Sequence, residues 1–115
     1  MQTNHLKATL TFCDKTLLGA DLAEVAHNYR PLMALPKGVF SSCFFDRIGS
    51  GSGPLELGVA YEVQLRLPMR AMIEEYLDLP TEAIWPPGGR LRLLVVPDRT
   101  VAEGTILGLE ILPSA

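Results

Sequence analysis

Few side chains in this chain have reactive potential. Two cysteines, Cys13 and Cys43, and two histidines, His5 and His27, are the candidate soft-metal ligands. No two of them stand two to four residues apart, the pairing that structural zinc sites use, so no metal is expected. The two thiols are expected to be reduced, half-buried and unpaired. Ser41, Ser42 and Cys43 supply nucleophiles without a nucleophile-elbow pattern, and Cys43 with His27 reads as a core thiol and a loop imidazole. Glu74 and Glu75 are adjacent, hence about 100° apart on a helix, and form a solvated face instead of an acid–base pair. The run "GSGSG" from Gly49 to Gly53 lacks the lysine and the strand-to-helix junction of a phosphate loop. Catalysis, cofactors and nucleotide are therefore not expected.

Binding chemistry is better represented. Arg66, Arg70, Arg90, Arg92 and Arg99 place five of the seven arginines in the C-terminal half. Arg66 and Arg92 would share an outer face if their strands paired, and a basic patch of that kind suits RNA or an acidic protein. Interleaved Glu62 and Glu110, with a net charge of −3, favour a mixed solvated surface and give no general attraction to nucleic acid or anionic membrane. Arg30 is held extended by the proline after it, where it either buttresses the fold or faces a partner. Arg99 is expected to anchor a turn through carbonyls or a carboxylate. Tyr76 and Trp85 are the aromatic candidates for a docking surface.

Strands must position these groups. With 115 residues, 48% of them hydrophobic, the chain is expected to be one domain, 1–115, with a single core. In "LELGVAYEVQLRLP" the residues Leu57, Val59, Tyr61, Val63, Leu65 and Leu67 alternate with Gly58, Ala60, Glu62, Gln64 and Arg66, as in a strand with one wet face. Leu6, Ala8, Leu10 and Phe12 alternate in the same way. Leu91, Leu93 and Val95 point inward in "GRLRLLVV", and Val101, Thr105, Leu107, Leu109 and Ile111 share one side of the last strand. "YRPLMAL" and "VFSSCFF" are further β-prone runs. The turns "PKG", "GSGSGP", "PPGG" and "PD" separate them, and "IGSGSGP" reads as a mobile hairpin loop.

About six strands with one buried face each are best satisfied by a closed antiparallel Greek-key β-barrel, which leaves no edges. "LLGADLAEVAHN" is expected to hold a short helical turn. "PMRAMIEEYLDLP" predicts a short amphipathic helix over about 69–79, with Met69, Met72, Ile73 and Tyr76 on its apolar side. With Trp85 it would cap one barrel end. No apolar run reaches about 20 residues, so no membrane span is expected. The opening lacks a signal-peptide plan, which makes a cytoplasmic location the expectation.

Three ordered blocks carry a family resemblance. "LRLLVVPDRTVAEGTILGLEIL" holds Leu91, Arg92, Arg99, Thr100, Val101 and Gly104 in the pattern of a strand, a tight turn and R-T-V-x-x-G. "NYRPLMAL" supplies Tyr29, Arg30 and Pro31, and "LGVAYEVQLRLP" keeps Gly58 and the alternation. Together they resemble the C-terminal β-barrel, domain 3, of elongation factor Tu. That resemblance implies a non-catalytic barrel that engages protein partners, is translation-related or acts as an immunity protein or mimic, and has tRNA contact as an alternative. Pro97 and Asp98 stand where the family has an acidic residue and two glycines; they remove an amide donor and add negative charge near an approaching phosphate. A small ligand-binding or enzymatic barrel is the third reading, and it would need a closed pocket lined by Cys43, Tyr61 and Trp85.

Overall fold

The computed structural model describes residues 2–96 and 98–113. Strand β1 (Gln2–Phe12) leads through a 3-10 turn to helix α1 (Leu22–Asn28) and then to β2 (Leu32–Ala34), β3 (Phe40–Ser42) and β4 (Phe44–Ile48). Strand β5 (Ala60–Arg66), helices α2 (Arg70–Leu77) and α3 (Thr81–Ile84), and strands β6 (Arg90–Val96) and β7 (Arg99–Pro113) complete the chain. The fold is all-β, with one antiparallel sheet of seven strands in the order β3-β2-β6-β7-β1-β5-β4.

This curled half-barrel differs from the closed six-stranded barrel expected. The run "VFSSCFF" is not one strand. It divides at Cys43 into β3, which pairs with β2, and β4, which pairs with β5. These are the two ends of the strand order, yet a single residue separates them in the chain. The sheet therefore bends until its edge strands meet end to end, and the chain at Cys43, not a ladder, joins them. The physical reason lies in Pro31. Cys43 N donates to Pro31 O at 3.3 Å, but proline has no amide to continue the exchange, so the β2–β3 ladder stops at Leu32↔Ser42. Beyond that point α1, and not β2, lies against β4. A helix covers the edge that a closed barrel would have paired.

The core follows the alternation closely in β1, where Leu6, Ala8, Leu10 and Phe12 are all buried. In β7 the alternation changes phase twice. Val101 and Ala102 are both buried, Ile106 points inward and Leu107 is exposed, because the register with β6 shifts at Val101 and that with β1 shifts between Lys7 and Ala8. Each extra residue turns the following side chains to the opposite face. Thr105 and Leu107 thus do not share the inner side that a uniform strand would give them. Strand β5 is shorter than its sequence pattern: it begins at Ala60, and Val59 is exposed.

Gly104 sits opposite Leu10 in the β1–β7 ladder, and a Cβ there would stand 1.6 Å from Thr9 O. Only glycine lets the two backbones approach so closely. The loop between β4 and β5 is hydrogen-bonded to the rest of the fold. Leu22 N donates to Gly53 O, Leu55 N to Ala20 O and Gly19 N to Leu55 O, and Leu55 is fully buried. The loop is stitched to the segment that starts α1.

The helical unit of α2 and α3 caps one end of the curled sheet. Ile73, Leu77, Ile84 and Trp85 join the core. Arg70 ties α2 to the rest of the fold, donating through Nε to Asn4 Oδ1 at 2.8 Å and through Nη1 to Glu74 Oε1 at 2.7 Å. Thr81 Oγ1 also donates to Glu74, so Glu74 links the two helices and is not merely a solvated carboxylate. At the other end of α2, Lys37 Nζ donates to the Leu77 carbonyl at 2.7 Å, placing a cation where the helix dipole is negative. No helix among the described residues is long and apolar enough to cross a membrane.

Candidate binding surfaces

The predicted apolar side of α2 is divided between core and solvent. Ile73 and Leu77, four residues apart, form the buried stripe. Met69, Met72 and Tyr76 form a second stripe at i, i+3 and i+7 and are exposed by 42%, 61% and 78%. The apolar arc of this helix is therefore wider than the core uses. Other exposed large apolar residues, such as Leu18 and Leu107, are in separate elements and are of the scattered kind every soluble fold carries.

Trp85, expected to cap one end with the helix and offered otherwise as a docking aromatic, is 2% exposed. Its Nε1 donates to Met33 Sδ at 3.3 Å, so the one polar atom of the indole is satisfied inside. It is a core plug at the capped end. Tyr76 alone of the aromatic pair reaches solvent.

The arginines do not form one patch. Strands β7 and β1 separate β6, which carries Arg90 and Arg92, from β5, which carries Arg66. Arg66 and Arg92 therefore do not share the paired-strand face expected of them. Arg90 Nη2 lies 2.7 Å from Glu103 Oε1, and Glu103 is also the register partner of Arg92, which makes that face a mixed charged surface. Asp98 is exposed, while Pro97 lies outside the described residues.

Arg99 does what its turn requires. Its Nη2 donates at 2.9 Å to Oδ1 of Asp14, which also accepts from the Thr16 amide at 3.0 Å and the Thr16 hydroxyl at 2.8 Å. Burial raises the Asp14 carboxyl, but those hydrogen bonds and the guanidinium charge outweigh it and hold the pKa below its ordinary value. Nearby, the Tyr29 hydroxyl is buried with no partner among the described residues. Burial, reinforced by the Asp14 charge, pushes that phenol up to about 12.

Arg30 and Arg66 are brought together. Their guanidinium carbons stand 4.8 Å and 5.5 Å from the centre of the Phe44 ring, an arrangement that holds both cations by their attraction to the aromatic face. Both line a cleft of about 410 Å³ between α1 and β4, together with His27, Asp46 and Arg47. Asp46 is already engaged: Oδ1 lies 2.8 Å from Arg66 Nε, and Oδ2 lies 3.4 Å from His5 Nε2. Arg47 and Phe44 are not singled out in the sequence, where "VFSSCFF" offers no clean face, and His27 is weighed there only as a metal ligand or a companion of Cys43.

The reactive groups are dispersed. Cys43 is buried, and burial pushes its thiol up to about 12. Cys13 is exposed rather than half-buried, so the two cysteines differ in environment. Cys43 and Trp85 lie in packed core, and neither they nor Tyr61 lines any of the clefts along α1 or beside β5. Among the described residues, no three His, Cys, Asp or Glu side chains are grouped to hold a metal ion. No protein-family model matches this chain, and no curated protein is significantly similar to it.

Proposed function

We propose that this chain is a non-catalytic binding module that engages a protein partner through the outer stripe of α2. The observation that carries the reading is the exposure of Met72 and Tyr76 on the outer face of α2, with exposed Met69 at its N-cap. Methionine and tyrosine are over-used at protein interfaces because they supply adaptable or rigid apolar area at modest entropic cost. The helix is fixed from beneath by Ile73, Leu77 and the Arg70–Glu74 pair, so the face is presented on a rigid support. The resemblance to the C-terminal barrel of elongation factor Tu supports the same class of function. It favours a translation-related partner, or a role as an immunity protein or mimic, in a cytoplasmic setting.

Quantitative pull-down with the intact chain and with Met72→Gln/Tyr76→Gln tests the reading. Both substitutions keep helix-compatible residues on the surface. A protein recovered stoichiometrically with the intact chain and lost with the variant is the expected result. Equal recovery of every protein by both chains would dismiss the α2 face.

A further inference from the structure

We propose that the cleft between α1 and β4 receives an acidic segment of a protein partner, with its carboxylates met by Arg30, Arg47 and Arg66. The inference rests on reading the chain as a protein-binding module, and it concerns a surface distinct from the outer face of α2. Phe45, Asp46, Arg47 and Ile48 are consecutive and all line the cleft. The register with β5 shifts between Phe45 and Arg47, so Asp46 and Arg47 are both exposed while Phe45 and Ile48 are buried. β4 pairs with β5 on one side and has α1 against it on the other, so a ligand is received between helix and strand.

The walls select for negative charge. Three arginines, Arg30, Arg47 and Arg66, face a single carboxylate, Asp46, on a protein whose net charge is −3. Arg47 Nε is turned to Gly49 O at 3.0 Å, and Arg30 Nη1 to Tyr29 O at 3.2 Å. Arg66 uses Nε for Asp46. The other guanidinium N–H groups of Arg30 and Arg66 have no partner among the described residues, and each guanidinium is held over the Phe44 ring. A guanidinium with free N–H groups suits bidentate recognition of a carboxylate.

Two observations favour a peptide over nucleic acid. The arginines of β6 lie three strands away from Arg66 in the sheet order, which leaves no continuous track for a phosphate backbone. The aromatic ring at the site already carries both guanidiniums and does not offer a free platform for a base.

The test uses the full chain and a fluorescein-labelled glutamate hexapeptide, with a glutamine hexapeptide and a labelled uridine hexanucleotide as comparators, read by fluorescence anisotropy. The glutamate peptide should bind, and the glutamine peptide should not. Arg30→Gln/Arg66→Gln should weaken binding about tenfold or more, the scale of lost charge-assisted hydrogen bonds. Arg90→Gln/Arg92→Gln, on the far side of the sheet, should leave it unchanged. Arg47→Gln supplies a second cleft variant that leaves the Phe44 pair intact, and it should weaken binding in the same direction. Absence of glutamate-peptide binding, equal weakening by the β6 pair, or tighter binding of the uridine hexanucleotide through the same arginines would each overturn the proposal. Such a failure would leave the α2 reading standing, because pull-down through Met72 and Tyr76 interrogates a different surface.

Discussion

At the scale of single residues, the most informative contact joins the two ends of the chain. Asp14 is the only charged residue buried among those described. Arg99 reaches it across 85 positions of sequence. A carboxyl held lower in the folded than in the unfolded chain adds stability above the unfolded value, near pH 4, and loses it as pH falls through the folded value. Arg99→Met removes one of the donors that hold Asp14 down. Urea unfolding at pH 7 should therefore show a loss of about 1–2 kcal/mol. On acidification the gap between variant and parent should close as Asp14 becomes protonated in both. Parallel acid profiles would show that the guanidinium does not set the Asp14 equilibrium. The sequence makes Arg99 legible as an anchor, because a tight turn before a long strand needs one. It does not make Asp14 legible as its partner, since only the path of β1 past β7 brings the two together. The Arg30–Phe44–Arg66 cluster was hidden for the same reason: Phe44 joins Arg66 through the β4–β5 ladder and Arg30 through the bend after α1.

Among the elements, legibility follows how regular each one is. Strand β1 is uniform from Leu6 to Phe12, and the period-two pattern alone gives its inner face. Strand β7 carries two register shifts, and alternation cannot announce where an extra residue turns the pattern over. Gly104 is legible as a point of close approach. Gly104→Ala forces a Cβ against the Thr9 carbonyl, a backbone atom that cannot rotate aside. The expected cost is about 3 kcal/mol, seen as a lower urea midpoint with an unchanged slope. Stability equal to the parent would mean that the two backbones are less close than described. For α2 the helix itself is evident from its periodicity, but which apolar stripe turns inward is decided by Asn4, Lys37 and the β-sheet end it covers. Trp85→Ala should cost roughly 3–5 kcal/mol as a core deletion. Met72→Gln should stay within about 0.5 kcal/mol as a surface change. Comparable losses from both would contradict the assignment of one residue to the core and the other to solvent.

For the molecule as a whole, the all-β plan is legible because half-buried strands and tight turns leave little else that a chain of 115 residues could build. Closure is not legible. It depends on Pro31, which ends one ladder, and on α1, which then takes the place beside β4 that a strand would occupy. The outcome is a curled sheet stiffened at one end by α2 and α3, with two surfaces that core packing does not use. One is the apolar stripe of α2; the other is the arginine-lined cleft along β4. Photo-cross-linking in the cell, with benzoylphenylalanine in place of Tyr76 and, as a control, in place of Thr105 on β7, tests the central claim most directly. The account predicts a discrete cross-linked protein from position 76 and none from position 105. An RNA adduct at position 76, or the same set of products from both positions, would contradict it.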